Sequence, residues 1–173
     1  QSMGQEADKL QDMGYKTYAR TGDIYCLFYE LAYKLLKPNG FLSFITSNKW
    51  MRAGYGEALR NFLSTNTNPV QLIDFAGEKV FDTATVDVNI LMFRKNKNNN
   101  NTISCIIKDS GWRNNMSEYI KQNAQANSFD NSASWIILSP IEQSIKAKIE
   151  AVGTPLKEWD VNIYRGILTG YNE

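Results

Sequence analysis

The sequence predicts an α/β fold: a sheet built on parallel crossover units, an antiparallel pair among its strands, and a mixed α/β extension towards the C-terminus. Three observations predict it. Ile24, Leu27, Phe28, Leu31 and Leu35 give residues 21–36 an apolar face at helical spacing. Pro38-Asn39-Gly40 then reverses the chain into the apolar run Phe41–Ile45. Helix, turn and buried strand make half of a parallel crossover unit. Finally, Val70–Phe75 and Ala84–Arg94 are strand patterns close enough in sequence to pair antiparallel.

Each element has a local cause. A short helix is expected around Met3–Met13, in a polar N-terminal stretch. Tyr15–Arg20 reads either as a tethering loop or as a basic, aromatic arm near a polyanion. Asp23 is placed to cap the helix that follows, its carboxylate accepting from free backbone N–H groups. The near-continuous apolar character of Phe41–Ile45 predicts a strand covered on both faces. Thr46–Trp50 leaves the carboxyl end of that strand, the edge on which open α/β sheets bind ligands. Lys49 there could meet a phosphate. Trp50 could stack on a ligand, but a plug in the domain edge is the simpler role.

Glu57–Leu63 continues as a helix, with Leu59, Phe62 and Leu63 on one face, and Asn66–Pro69 breaks it. Ala76–Thr83 is a loop that carries Phe81. The asparagine-rich stretch 96–101 reads as a mobile turn. Thr102–Lys108 is a further strand candidate, and Trp112–Gln125 is amphiphilic and helical in pattern. Ser139-Pro140 with Glu142 is a capping-box start for a helix striped by Ile141, Ile145 and Ile149, which Gly153 ends. No internal repeat is found. A start without Met and an unfinished closing GILTGYNE suggest a boundary inside a larger protein.

Composition narrows the function. Hydrophobic residues at 43% and charged residues at 21% describe an ordinary soluble globular domain, and the sparse cysteines make a reducing cytoplasm the expected setting. A net charge of +1 excludes a strongly basic, histone-like protein but not a local basic patch. No apolar run approaches a membrane span of about 18 residues. The two cysteines, Cys26 and Cys105, are too few and too far apart for a disulfide scaffold. The chain has no histidine, so Ser–His–Asp triads and most zinc sites are excluded, and no metal site is expected.

The order of segments then carries a resemblance. Asp23-Ile24-Tyr25, Phe28 and Glu30 lead to Leu35-Leu36-Lys37-Pro38-Asn39-Gly40, then Ser47-Asn48-Lys49-Trp50. Gly56, Leu59-Arg60, Val80-Phe81 and Thr85-Val86 through Ile90-Leu91 follow in the same order. Over residues 15–95 this resembles the TaqI-like adenine-N6 DNA methyltransferases, including type IIG restriction-modification enzymes, and GILTGYNE resembles the entry to their target-recognition region. The resemblance implies a partial Rossmann-like methyltransferase sheet containing its last strands. It implies residues 1–95 as the C-terminal part of a catalytic domain, 96–160 as a linker or extension, and 161–173 as the beginning of target recognition. It also implies S-adenosylmethionine as cofactor, double-stranded DNA as partner, and a target adenine flipped out of the duplex.

Two aromatics carry over residue by residue: Phe81 as the ring that stacks on the flipped adenine, and Phe28 as one wall of the cofactor's adenine pocket. Each could instead be a core phenylalanine. Asn48, Lys49 and Arg52 are candidate DNA contacts at the strand edge, with Arg165 and Thr169 further candidates in the recognition region. The chain departs from the family in lacking both the NPPY tetrapeptide and a glycine-rich cofactor loop. No catalytic residue is therefore assigned within it, and by itself it should not methylate. Polypeptide upstream should complete the sheet. A non-catalytic nucleic-acid-binding module on the same fold is the alternative.

Overall fold

A computed structural model of the chain describes residues 6–83 and 86–161. It divides into two compact units, up to Ile137 and from Leu138. The first unit is a five-stranded mixed sheet with helices on its faces. Its strands are β1 (Phe41–Ser47), β2 (Asn68–Asp74), β3 (Val88–Arg94), β4 (Thr102–Ile106) and β5 (Gln125–Asn127), in the order β1-β3-β2-β4-β5. β3 runs antiparallel to both β1 and β2, while β2 and β4 pair in parallel. The expected antiparallel pair is therefore present, and its second strand also threads between β1 and β2. The sheet continues past residue 95, where the sequence placed the end of the catalytic part.

One face of the sheet is covered by α2 (Tyr25–Leu35), α3 (Glu57–Asn66) and the chain around Trp50 and Phe129–Ile137. Leu72, Leu91 and Phe93 meet Cys26, Tyr29, Leu59, Leu63, Trp50 and Trp135 there. Trp50 is fully buried, a plug as the sequence suggested. The other face is covered over β2, β3 and β4 by Trp112 and by Tyr119 and Ile120 of α4 (Met116–Asn123), against Ile73, Phe75, Val88, Cys105 and Ile107.

The structure corrects several expectations. The buried residues of α2 are Cys26, Leu27, Tyr29 and Glu30, so of the predicted leucine stripe only Leu27 is buried. Phe28, Leu31 and Leu35 are exposed. The polar members of the buried face are admitted because they are satisfied: Tyr29 hydroxyl lies 3.0 Å from Thr46 Oγ1, and Glu30 accepts from Thr17 N and Lys34 Nζ. Asp23 makes its helix-start contact through its backbone carbonyl, which accepts from Cys26 N, and the residue at the cap position is Ile24. β1 is covered on one face only. Leu42 and Phe44 join the core, whereas Phe41, Ser43 and Ile45 are exposed, because α4 covers β2, β3 and β4 but not β1.

The asparagine-rich turn is hydrogen-bonded rather than loose. Asn98 Nδ2 donates to Ser64 O and Phe129 O, and the next backbone amides donate to asparagine side chains. The Tyr15–Arg20 stretch is a tether: Thr17 is buried on Glu30, Tyr18 bonds Ala7 O of α1 (Ala7–Asp12), and Arg20 pairs with Asp8. In the second unit, α5 (Pro140–Val152) starts with the predicted capping box of Ser139 and Glu142. Among the described residues, no helix is long and apolar enough to cross a membrane.

Candidate functional site

Because β1 and β2 are both antiparallel to β3, they run parallel to each other and finish at the same rim. The 3-10 turn Asn48–Met51 leaves the end of β1, and residues 75–87 leave the end of β2. Nearly every sequence-predicted site residue within the described chain lies at this rim.

The rim is organised by a buried carboxylate. Asp74, the last residue of β2, is only 1% exposed. Its Oδ1 accepts from Asn48 Nδ2 at 2.8 Å and from Ala76 N at 3.0 Å, and its Oδ2 accepts from Arg52 Nη2 at 3.3 Å. A buried carboxylate needs such donors to offset lost hydration. The Ala76 bond holds a tight turn in which Ala76 has φ +46° and Gly77 φ +93°. Ala76 is thus a non-glycine residue in the left-handed region, a conformation that the Asp74 contact helps to hold.

Beyond that turn the loop is pinned again. Arg113 Nη2 donates to Lys79 O, and Val80 packs against the second core cluster. Phe81 follows and is 41% exposed. An anchored Val80 beside an exposed Phe81 presents an aromatic ring to solvent at the carboxyl rim. Phe28 is 48% exposed. Its neighbour Tyr29 reaches Thr46 near the end of β1, so Phe28 lies towards the same end of the sheet. Within this chain neither ring is buried in a core cluster.

The polar candidates divide. Lys49 is exposed at the rim. The Asn48 amide and one Arg52 nitrogen are already engaged by Asp74, although the Arg52 side chain remains 57% exposed. Arg165 and Thr169 lie outside the described residues.

Sequence reasoning missed the groups that hold the rim in place. Asn89 is fully buried, and its Oδ1 accepts from Trp50 Nε1 and Thr46 Oγ1, both at 3.2 Å. Its Nδ2 has no partner among the described residues. Arg60 is a buried guanidinium on α3 that donates to the carbonyls of Trp50, Ala53 and Ser132. The alternation of Val88, Asn89 and Ile90 marked a strand but not that Asn89 is buried, and Asp74 and Arg60 gave no signal beyond their position in apolar runs.

The Cys26 thiol is pushed up to about 12 by burial, so it stays protonated. No group of three potential metal ligands occurs among the described residues.

Residues 1–81 match the Eco57I restriction-modification methylase family. The chain is 28% identical over 163 residues to the type II restriction enzyme and methyltransferase RM.Eco57I of Escherichia coli, covering 92% of this chain and 16% of that protein. The chain thus spans about a sixth of that relative's length. Two solved structures share the fold. The type IIG restriction endonuclease BpuSI has a TM-score of 0.59 at 14% identity, over 84% of this chain and 20% of that one. DrdV, solved as a DNA complex, has a TM-score of 0.52 at 14% identity, over 76% of this chain and 15% of that one. By these matches the chain is similar, most clearly over residues 1–81, to the restriction-modification methylases of the Eco57I family.

Proposed function

We propose that this chain forms part of a site-specific DNA methyltransferase that transfers a methyl group from S-adenosylmethionine to the N6 amine of a flipped adenine in duplex DNA. The observation that carries the reading is the half-exposed Phe81 ring, held at the carboxyl rim by an anchored loop. A base stacked on an aromatic ring gains about 1–3 kcal/mol, which suits a residue that must hold an adenine outside the helix. Lys49, and the free part of Arg52, would meet backbone phosphates beside it. With Asn48 turned onto Asp74, its contribution is to shape the loop.

S-adenosylmethionine fits the residues present to the extent that Phe28 offers an exposed aromatic wall towards the same end of the sheet. When bound, it supplies the electrophilic methyl group. This chain's part is to hold the base, exclude water around the ring and position the DNA backbone.

Polypeptide outside this chain would complete a Rossmann-like sheet. β1 is an edge strand whose one neighbour among the described residues is β3, and Phe41 and Ile45 are exposed on it. An apolar edge strand of this kind needs a covering partner. A parallel strand added there would extend the sheet and cover apolar surface together.

The test is a methylation assay on the full-length protein with duplex DNA, RNA and protein substrates and labelled S-adenosylmethionine. The reading expects label in duplex DNA, recovered as N6-methyladenine. Label in RNA or protein alone, or DNA binding without transfer, would contradict it.

A further inference from the structure

We infer that Asp74 is a positioning residue that couples the DNA-contacting loop after β1 to the Phe81 loop after β2. This deepens the function proposed above and rests on it for the roles of the two loops. The coupling itself rests on geometry. Asp74 is 1% exposed, and its two oxygens bond to both loops: Asn48 and Arg52 on one side, Ala76 N on the other. Oδ1 serves both at once, at 2.8 Å and 3.0 Å. The Ala76–Gly77 turn it supports has positive φ at both residues and leads in four residues from Gly77 to Phe81. A shift of the Asn48–Arg52 turn is therefore transmitted through one carboxylate to the turn that sets the Phe81 loop. A phosphate that engages Arg52 competes with Asp74 for the same guanidinium. DNA contact and placement of the stacking ring are in this way linked through a group that touches neither DNA nor cofactor. The backbone bond from Asn48 N to Asp87 O, at 3.0 Å, joins the first loop to the far end of the second and survives substitution of Asp74.

The experiment uses the full-length protein with Asp74→Asn, Asp74→Ala and Arg52→Ala. Amide exchange should rise at least tenfold in both 48–53 and 76–81 in Asp74→Ala, and by a smaller factor in both segments in Arg52→Ala. Asp74→Asn keeps the shape and an acceptor for Ala76 N, and should fall between them. In Asp74→Asn, kcat and the fluorescence of 2-aminopurine at the target base should drop tenfold or more, with S-adenosylmethionine affinity within twofold of the parent. Exchange that rises in one loop only, or in neither, overturns the coupling. So does a loss of cofactor affinity that matches the loss of kcat. If Asp74→Ala does not fold, Asp74→Asn decides, since a rise in both loops supports the coupling and a rise in one refutes it. A parent enzyme that fails to methylate refutes the proposed function, while the exchange result still decides the coupling.

Discussion

Gly56 shows how narrowly single residues set the rim. A Cβ at Gly56 would lie 2.0 Å from Trp50 O, inside the backbone of the turn that follows β1. Gly56→Ala must therefore displace that turn, and overpacking of this kind costs about 1–3 kcal/mol. Urea unfolding should show a lower midpoint with an unchanged slope. Glu30 makes a second prediction. Burial alone would raise its carboxyl, but Lys34 and the two donors of Thr17 outweigh burial and hold it below its ordinary value of 4.5. A depressed carboxyl contributes stability that is complete above 4.5 and is lost as pH falls through the lower folded value. Unfolding followed from pH 7 into acid should show that loss, and Glu30→Gln should flatten the profile in the same window. At this scale the sequence was partly legible. Lys49 stood out because a cation in a loop at the carboxyl end of a strand is placed to meet a phosphate, whereas Phe81 stood out only through the resemblance. Asp74 and Arg60 did not, because a charge inside an apolar run reads as surface until its partners are seen.

Elements were more legible than the faces they bury. The helix, turn and strand of 21–47, the break before β2 and the capping box of α5 follow from local rules, and they form. The buried face of α2 did not follow. Leucines at four-residue spacing outrank tyrosine and glutamate on any hydrophobic scale, yet Tyr29 and Glu30 face the core and Leu35 is 77% exposed. Hydrogen bonds to Thr46, Thr17 and Lys34 decide this, and pattern alone does not carry them. β1 misled in a related way, since a run apolar on both faces has only one face covered in this unit. Truncation should report the difference. Tyr29→Ala removes a fully buried ring and should cost about 3–5 kcal/mol, by analogy with other large aromatic truncations. Leu35→Ala should change the stability of this chain by less than about 0.5 kcal/mol, as exposed substitutions do.

The whole molecule has an unbalanced sheet. One face of the sheet is fully roofed and the other is roofed over β2, β3 and β4, while β1 keeps an open edge and exposed Phe41 and Ile45. Such an edge favours pairing with another chain. This chain alone should self-associate at micromolar concentration in sedimentation experiments, and Ile45→Lys should suppress the association without unfolding the domain. In a polypeptide that supplies the neighbouring strand, the same substitution should instead destabilise the fold, because the lysine would then be covered.

These features converge on the rim, where the account is most exposed to test. The most direct measurement is the fluorescence of 2-aminopurine placed at the target adenine of a duplex, titrated with the full-length protein and with its Phe81→Ala variant. A base leaving the stack brightens. The account predicts that the variant loses most of the stable flipped population and about 5- to 100-fold in methyl transfer, the range of a lost base–aromatic stack, while its affinity for S-adenosylmethionine is unchanged. Equal fluorescence and equal turnover in the two proteins, or a loss of cofactor affinity that accounts for the defect, would contradict it.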